Sequence, residues 1–83
     1  MNRNEMKIEF GSDPRNESFA RVVVASFMTR TNPTLEEVAD VKTAVSEAVT
    51  NSIIHGYGQK EGTIEIRAYI EERKLYIEIT DYG

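Results

Sequence analysis

The strongest constraint in this chain is the alternation in "TIEIRAYIEERKLYIEIT", residues 63–80. Ile64, Ile66, Ala68 and Ile70 occupy every second position, with Glu65, Arg67 and Tyr69 between them. Leu75, Ile77 and Ile79 repeat the pattern against Tyr76, Glu78 and Thr80. A period of two is that of a β-strand with one apolar face. The polar "EERK" between the runs is a turn, so the two strands most simply form an antiparallel hairpin. Extending the count by two places Asp81 on the apolar side of the last strand.

The rest of the chain supplies the cover for that face. In "EMKIEF", Met6, Ile8 and Phe10 alternate with Glu5, Lys7 and Glu9, which predicts a further strand. Gly11 and Pro14 interrupt it. From about Asn16, the apolar Phe19, Val22, Val23 and Phe27 recur at spacings of three and four, as on one stripe of a helix. The β-branched run 22–24 favours a strand by itself, but length and periodicity favour the helix. Pro33 ends that segment, and Thr34 with Glu37 forms a T-x-x-E capping box that starts a second helix. This helix is expected over residues 35 to about 55, with Val38, Val41, Val45, Ala48, Val49 and Ser52 facing inward. Gly56 or Gly58 can close it in the left-handed conformation. The order β-α-α-β-β predicts an α+β fold: a two-layer sandwich in which helices cover one face of a mainly antiparallel sheet. Residues 1–83 read as a single small domain with a thin core.

Ten Lys and Arg against fourteen Asp and Glu give a net charge of −4, so the chain offers no general attraction to nucleic acid or an anionic membrane. Without cysteine it has no disulfide and no thiolate chemistry. The N-terminal decapeptide lacks the apolar core of a signal peptide, and no later apolar run is long enough to span a bilayer. The expectation is a soluble cytoplasmic protein.

The stretch "SEAVTNSIIHGYG" carries the chemistry. Glu47, Asn51 and His55 are spaced by four, and at about 100° per residue each step turns the helix by only about 40°, so the three share a strip. A carboxylate and an amide one turn apart, beside the small Ala44 and Ala48, can hold a hydrated divalent cation or orient a hydroxyl. A solvated helix face satisfies the same spacing, with His55 favoured near the C-terminus by the helix dipole. Zinc is disfavoured, because Asn is a poor zinc ligand and H-E-x-x-H is absent. "GYG" lacks the Lys-Ser/Thr of a phosphate-binding P-loop. Asp81, at the core-facing end of a strand, is either a turn former near Gly83 or a buried acceptor for a ligand's amino group.

"SEAVTNSIIHGY" and "ITDYG" resemble the E-x-x-x-N motif and the start of the D-x-G motif of the GHKL ATP-binding superfamily. "NESFARVVVASF" at residues 16–27, "VKTAVSEAVTNSIIHGY" at 41–57 and the N-terminal "RNEMKIEF" narrow the likeness to the anti-sigma F factors of sporulating bacteria, serine protein kinases of that superfamily. The resemblance covers essentially the whole chain. It implies an enzyme that binds ATP with Mg²⁺, phosphorylates a serine of an anti-anti-sigma protein and, as a homodimer, holds the sporulation sigma factor inactive. It assigns Glu47 as the catalytic base, Asn51 as the Mg²⁺ ligand, Asp81 as the adenine acceptor, His55 and Gly83 to the nucleotide site, and Arg21 to partner binding. Relatives continue past the position of Gly83 with a lid and a second glycine-rich motif, so the chain resembles the N-terminal half of such a kinase and is expected to be inactive alone. The alternatives are a non-catalytic dimerisation or partner-binding module, and another GHKL ATPase such as a histidine kinase domain. The "NESFAR" run argues against the latter.

Overall fold

The computed structural model describes residues 3–57 and 62–82, and of residues 55–57 the backbone alone. Strand β1 (Asn4–Gly11) is followed by helix α1 (Asn16–Met28), a 3₁₀ turn (Thr29–Thr31), helix α2 (Leu35–Asn51), a π-helical turn (Ser52–Tyr57), and strands β2 (Thr63–Glu71) and β3 (Lys74–Tyr82). The strands form one antiparallel sheet in the order β1-β2-β3. This is the expected β-α-α-β-β sandwich.

Register follows the alternation. Ile8 lies opposite Ile66 and Phe10 opposite Ile64 on one side of β2, while Ile79 and Ile77 face Ile66 and Ala68 on the other. All these side chains share the face that the helices cover. Ile64, Ile66 and Ala68 on the central strand are fully buried. Ile64 and Ile66 form a single core with Ala20 and Val24 of α1 and Val45, Val49 and Ile53 from the second helical segment. The opposite face is polar and cross-linked. Arg67 bonds Glu5 at 2.5 Å and approaches Glu78 at 3.9 Å, Lys7 pairs with Glu65 at 3.3 Å, and Tyr69 stacks on Tyr76 with ring centroids 4.8 Å apart.

The local signals act as their chemistry dictates. Glu37 N–H donates to Thr34 Oγ1 at 3.0 Å and Thr34 N–H donates to Glu37 Oε1 at 2.8 Å, closing the capping box at the start of α2. Before it, Asn32 adopts the left-handed conformation with φ 55, which stops the chain ahead of Pro33. The β2–β3 connection is a two-residue turn with Glu72 at φ 53 and Arg73 at φ 68. Two positive φ values define a type I′ turn, whose twist matches that of the strands it joins.

Two expectations require correction. The stripe Phe19, Val22, Val23, Phe27 is only in part the buried side of α1: of its members Phe27 is buried, together with Ala20, Val24 and Met28, whereas Phe19 is 49% and Val22 56% exposed. This helix carries apolar residues on two overlapping stripes. The side with the small Ala20 lets α1 approach α2 and the sheet, and the bulkier stripe is turned toward the β1 edge. There Phe19 meets Phe10 edge-on at 6.3 Å. The second correction concerns the end of α2. The α-helical repeat stops at Asn51 and a wider π-type turn runs to Tyr57, so Gly56 does not terminate the helix. Gly58 lies outside the described residues.

Candidate functional site

Helix α2 is held over the central strand by Val45 and Val49, which pack against Ile64 and Ile66. That fixes its rotation. The side toward α1 then carries Ser46, Glu47, Thr50 and Asn51, and these line an open trough of about 540 Å³ with Glu17 and Arg21. Glu47 and Asn51 are both exposed to it. Arg21 reaches the trough from α1, where it pairs with Glu17 at 3.3 Å one helix turn away. A carboxylate, an amide and a guanidinium therefore share one solvent-filled space. Carboxylate and amide oxygens are hard donors that suit Mg²⁺, a cation that takes few protein ligands and fills its shell with phosphate and water oxygens. Among the described residues, no group of three or more acidic, histidine or cysteine side chains could hold a metal ion unaided. The donor set fits a cation that arrives with its own oxygen ligands.

A second space of about 460 Å³ continues the trough toward the start of α2. It shares Arg21, Ser46 and Glu47 and adds Ala39, Lys42 and Thr43. Ser46 Oγ lies buried at this junction without a hydrogen-bond partner. A buried hydroxyl in that state costs about 1 to 3 kcal/mol.

Asp81 stands elsewhere. It lies in β3 opposite Ile64 and is exposed. It neither closes a turn nor is buried, because β3 is a sheet edge whose helix-side residues Leu75, Ile77 and Ile79 are themselves only half-buried. The side chain of His55 and all of Gly83 lie outside the described residues. The step of about 100° that aligned His55 with Glu47 and Asn51 ends where the π-type turn begins. The trough thus unites Glu47 and Asn51, as their spacing predicts, and joins Arg21 to them, which the spacing does not predict. Lys42, Ser46 and Glu17 escaped sequence reasoning. The signal that could have found them is the four-residue interval in Glu17–Arg21 and Lys42–Ser46, which pairs side chains on a helix surface.

No helix among the described residues is long and apolar enough to cross a membrane. The family model described as histidine kinase-like ATPase domain matches residues 10–83. The chain is similar to the anti-sigma F factor of Clostridium kluyveri, at 61% identity over 80 residues, covering 96% of this chain and 56% of that protein. It is similar to the anti-sigma F factor of Clostridium novyi at 57% identity over 84 residues, covering 100% of this chain and 59% of the relative. The Clostridium acetobutylicum anti-sigma F factor is 58% identical over 83 residues, with 100% and 58% covered. The chain therefore spans between 56% and 59% of the length of these curated relatives.

Proposed function

The chain belongs to the histidine kinase-like ATPase domain family, and on that premise we propose that it carries the reacting residues of an anti-sigma factor that is also an ATP-dependent serine protein kinase. The relatives' name supports a sigma factor as one partner. The second partner is an anti-anti-sigma protein whose serine accepts the phosphoryl group. The observation that carries this reading is the trough in which Glu47, Asn51 and Arg21 meet.

Mg²⁺-ATP, when bound, would supply the phosphoryl group and the charge neutralisation that its transfer needs, with ADP as the leaving group. Glu47 receives the proton of the attacking serine hydroxyl, and its exposure in the trough gives an incoming side chain direct access. Asn51, one turn further along α2, would hold the metal through its amide oxygen. Arg21 holds the partner at the rim. Asp81 accepts from the adenine amino group, and its exposure leaves both carboxylate oxygens open to a ligand. His55 and Gly83 complete the nucleotide site in this reading.

The test is phosphorylation by the full-length protein. With ATP, Mg²⁺ and an anti-anti-sigma protein, serine phosphorylation is expected, and Glu47→Ala lowers kcat by about 100-fold or more. Unimpaired turnover in that variant would remove Glu47 from the mechanism.

A homodimer belongs to the same proposal. Phe19 and Val22 are half exposed, and Val22 with Met6, Val23 and Phe27 lines an open groove of about 390 Å³ beside the edge strand β1. An apolar helix side next to an open sheet edge suits a second copy of the chain. Sedimentation should give a dimer mass without nucleotide, and Val22→Glu should shift it to monomer. A monomeric wild-type protein refutes this part.

A further inference from the structure

The outer face of the sheet carries a set of contacts that the proposed reaction leaves unused. Glu65 lies on the middle strand, and its carboxylate bonds to both neighbours. From β3, Tyr82 Oη donates to Glu65 Oε1 at 2.7 Å, and from β1, Lys7 Nζ meets Glu65 Oε2 at 3.3 Å. The register explains both contacts. Glu65 lies opposite Thr80 on β3 and Glu9 on β1, so Tyr82 and Lys7 are each its diagonal neighbours, two residues along and within reach of long side chains. The Glu65 side chain is only 14% exposed, and each of its oxygens has a partner. The Tyr82 hydroxyl, ahead of Lys7, holds the carboxyl below the ordinary glutamate range, so it stays ionised and accepting at neutral pH. One carboxylate thus clasps three strands.

The clasp sits where β3 is held least by anything else. The type I′ turn at Glu72 and Arg73 closes one end of the β2–β3 hairpin, and Tyr82 forms the last pair of the ladder with Thr63 at the open end. β3 has one neighbour in the sheet, and both Asp81 and Tyr82 are exposed. Core packing therefore does little to fix the direction of this end. Successive side chains of a strand point to opposite faces, so holding Tyr82 against Glu65 on the outer face turns Asp81 to the helix side. We propose that Tyr82 is a positioning residue: its bond to Glu65 fixes the end of β3 and thereby aims the Asp81 carboxylate at the amino group of the adenine base. The inference rests on the nucleotide role given to Asp81 above. Tyr82 itself touches no nucleotide and acts through Asp81.

The experiment uses the full-length protein and measures by calorimetry the Kd of ATP and of purine riboside triphosphate, each with Mg²⁺. The second nucleotide has hydrogen in place of the adenine amino group, so the ratio of the two Kd values isolates the hydrogen bond to Asp81 from the rest of nucleotide binding. The wild-type protein should favour ATP about tenfold or more, and Asp81→Ala should bring the two values to within about twofold. Tyr82→Phe keeps the ring and loses the bond to Glu65. It should cut the preference to about threefold by weakening ATP alone. Glu65→Ala should act like Tyr82→Phe, whereas Glu65→Gln keeps an acceptor oxygen for the hydroxyl and should retain most of the preference. Tyr76→Phe, on the same face of β3, should leave the ratio unchanged. A full ATP preference in Tyr82→Phe or Glu65→Ala, or an equal weakening of both nucleotides, overturns the proposal and leaves Asp81 as the acceptor. A wild-type protein without the preference, or Asp81→Ala that keeps it, refutes the adenine role of Asp81 and the proposal with it.

Discussion

Replacing Ser46 by alanine should stabilise the protein. Ser46 is an interior residue of α2, and its hydroxyl is buried with no hydrogen-bond partner. Removing it lifts a desolvation penalty of about 1 to 3 kcal/mol. Alanine also exceeds serine in helix propensity by about half a kcal/mol. The methyl group leaves almost no cavity, so little packing is lost. A net gain of about 1.5 to 3.5 kcal/mol follows, and for a domain of this size each kcal/mol raises Tm by about 4 to 8 °C. Thermal denaturation followed by circular dichroism reads that shift directly. A lower Tm in Ser46→Ala would mean that the hydroxyl is satisfied in solution and would refute this reasoning.

The type I′ turn offers a second gain, because Glu72 and Arg73 hold left-handed φ values at a cost of about 1 to 2 kcal/mol each for ordinary L-residues. Changing them to Asn-Gly should raise stability by about 1 kcal/mol in urea denaturation, and no change would argue against the turn type. Ile66, fully buried on the central strand, should cost about 2 to 5 kcal/mol when cut to alanine, enough to unfold much of a marginal domain at 37 °C; a folded variant with unaltered urea midpoint would contradict its place in the core. Asp13 is held at about 2, first by the Arg15 guanidinium and then by the Arg15 backbone N–H. Its folded pKa lies below the unfolded one. Its contribution is therefore present above the ordinary aspartate value and is lost as pH falls from there through about 2. Carboxyl NMR titration should give a midpoint near 2 for Asp13 that rises in Arg15→Ala; a midpoint in the ordinary aspartate range in the wild-type protein would show that the pair does not form.

Much of this architecture is legible without coordinates because its signals are local. The strands announce their buried faces through a period of two, and Ile64, Ile66 and Ala68 are the residues found at zero exposure. Thr34 and Glu37 mark a helix start through two hydrogen bonds that involve only their own backbone. Glu47 and Asn51 share a strip because one turn of helix separates them. Helix α1 itself is legible, but "SFARVVVASFM" supports two overlapping apolar stripes, and periodicity alone cannot choose which of them is buried. The exposure of Asp81 is illegible for a different reason. Its burial depends on whether β3 is an edge, which is a property of the sheet and not of the strand.

The amino-acid order by itself determined the order of the elements, the capped start of α2, the faces of the strands and the pairing of Glu47 with Asn51, since each depends on dihedral preferences and side-chain spacing within one segment. Tertiary structure alone decided that Ala20 rather than Phe19 faces the core, and that Arg21 of α1 shares a trough with Glu47 of α2. Those facts depend on how two helices rotate as Val24, Val45 and Val49 pack onto Ile64 and Ile66. Close packing between residues distant in the chain sets that rotation, and no short window of sequence contains it.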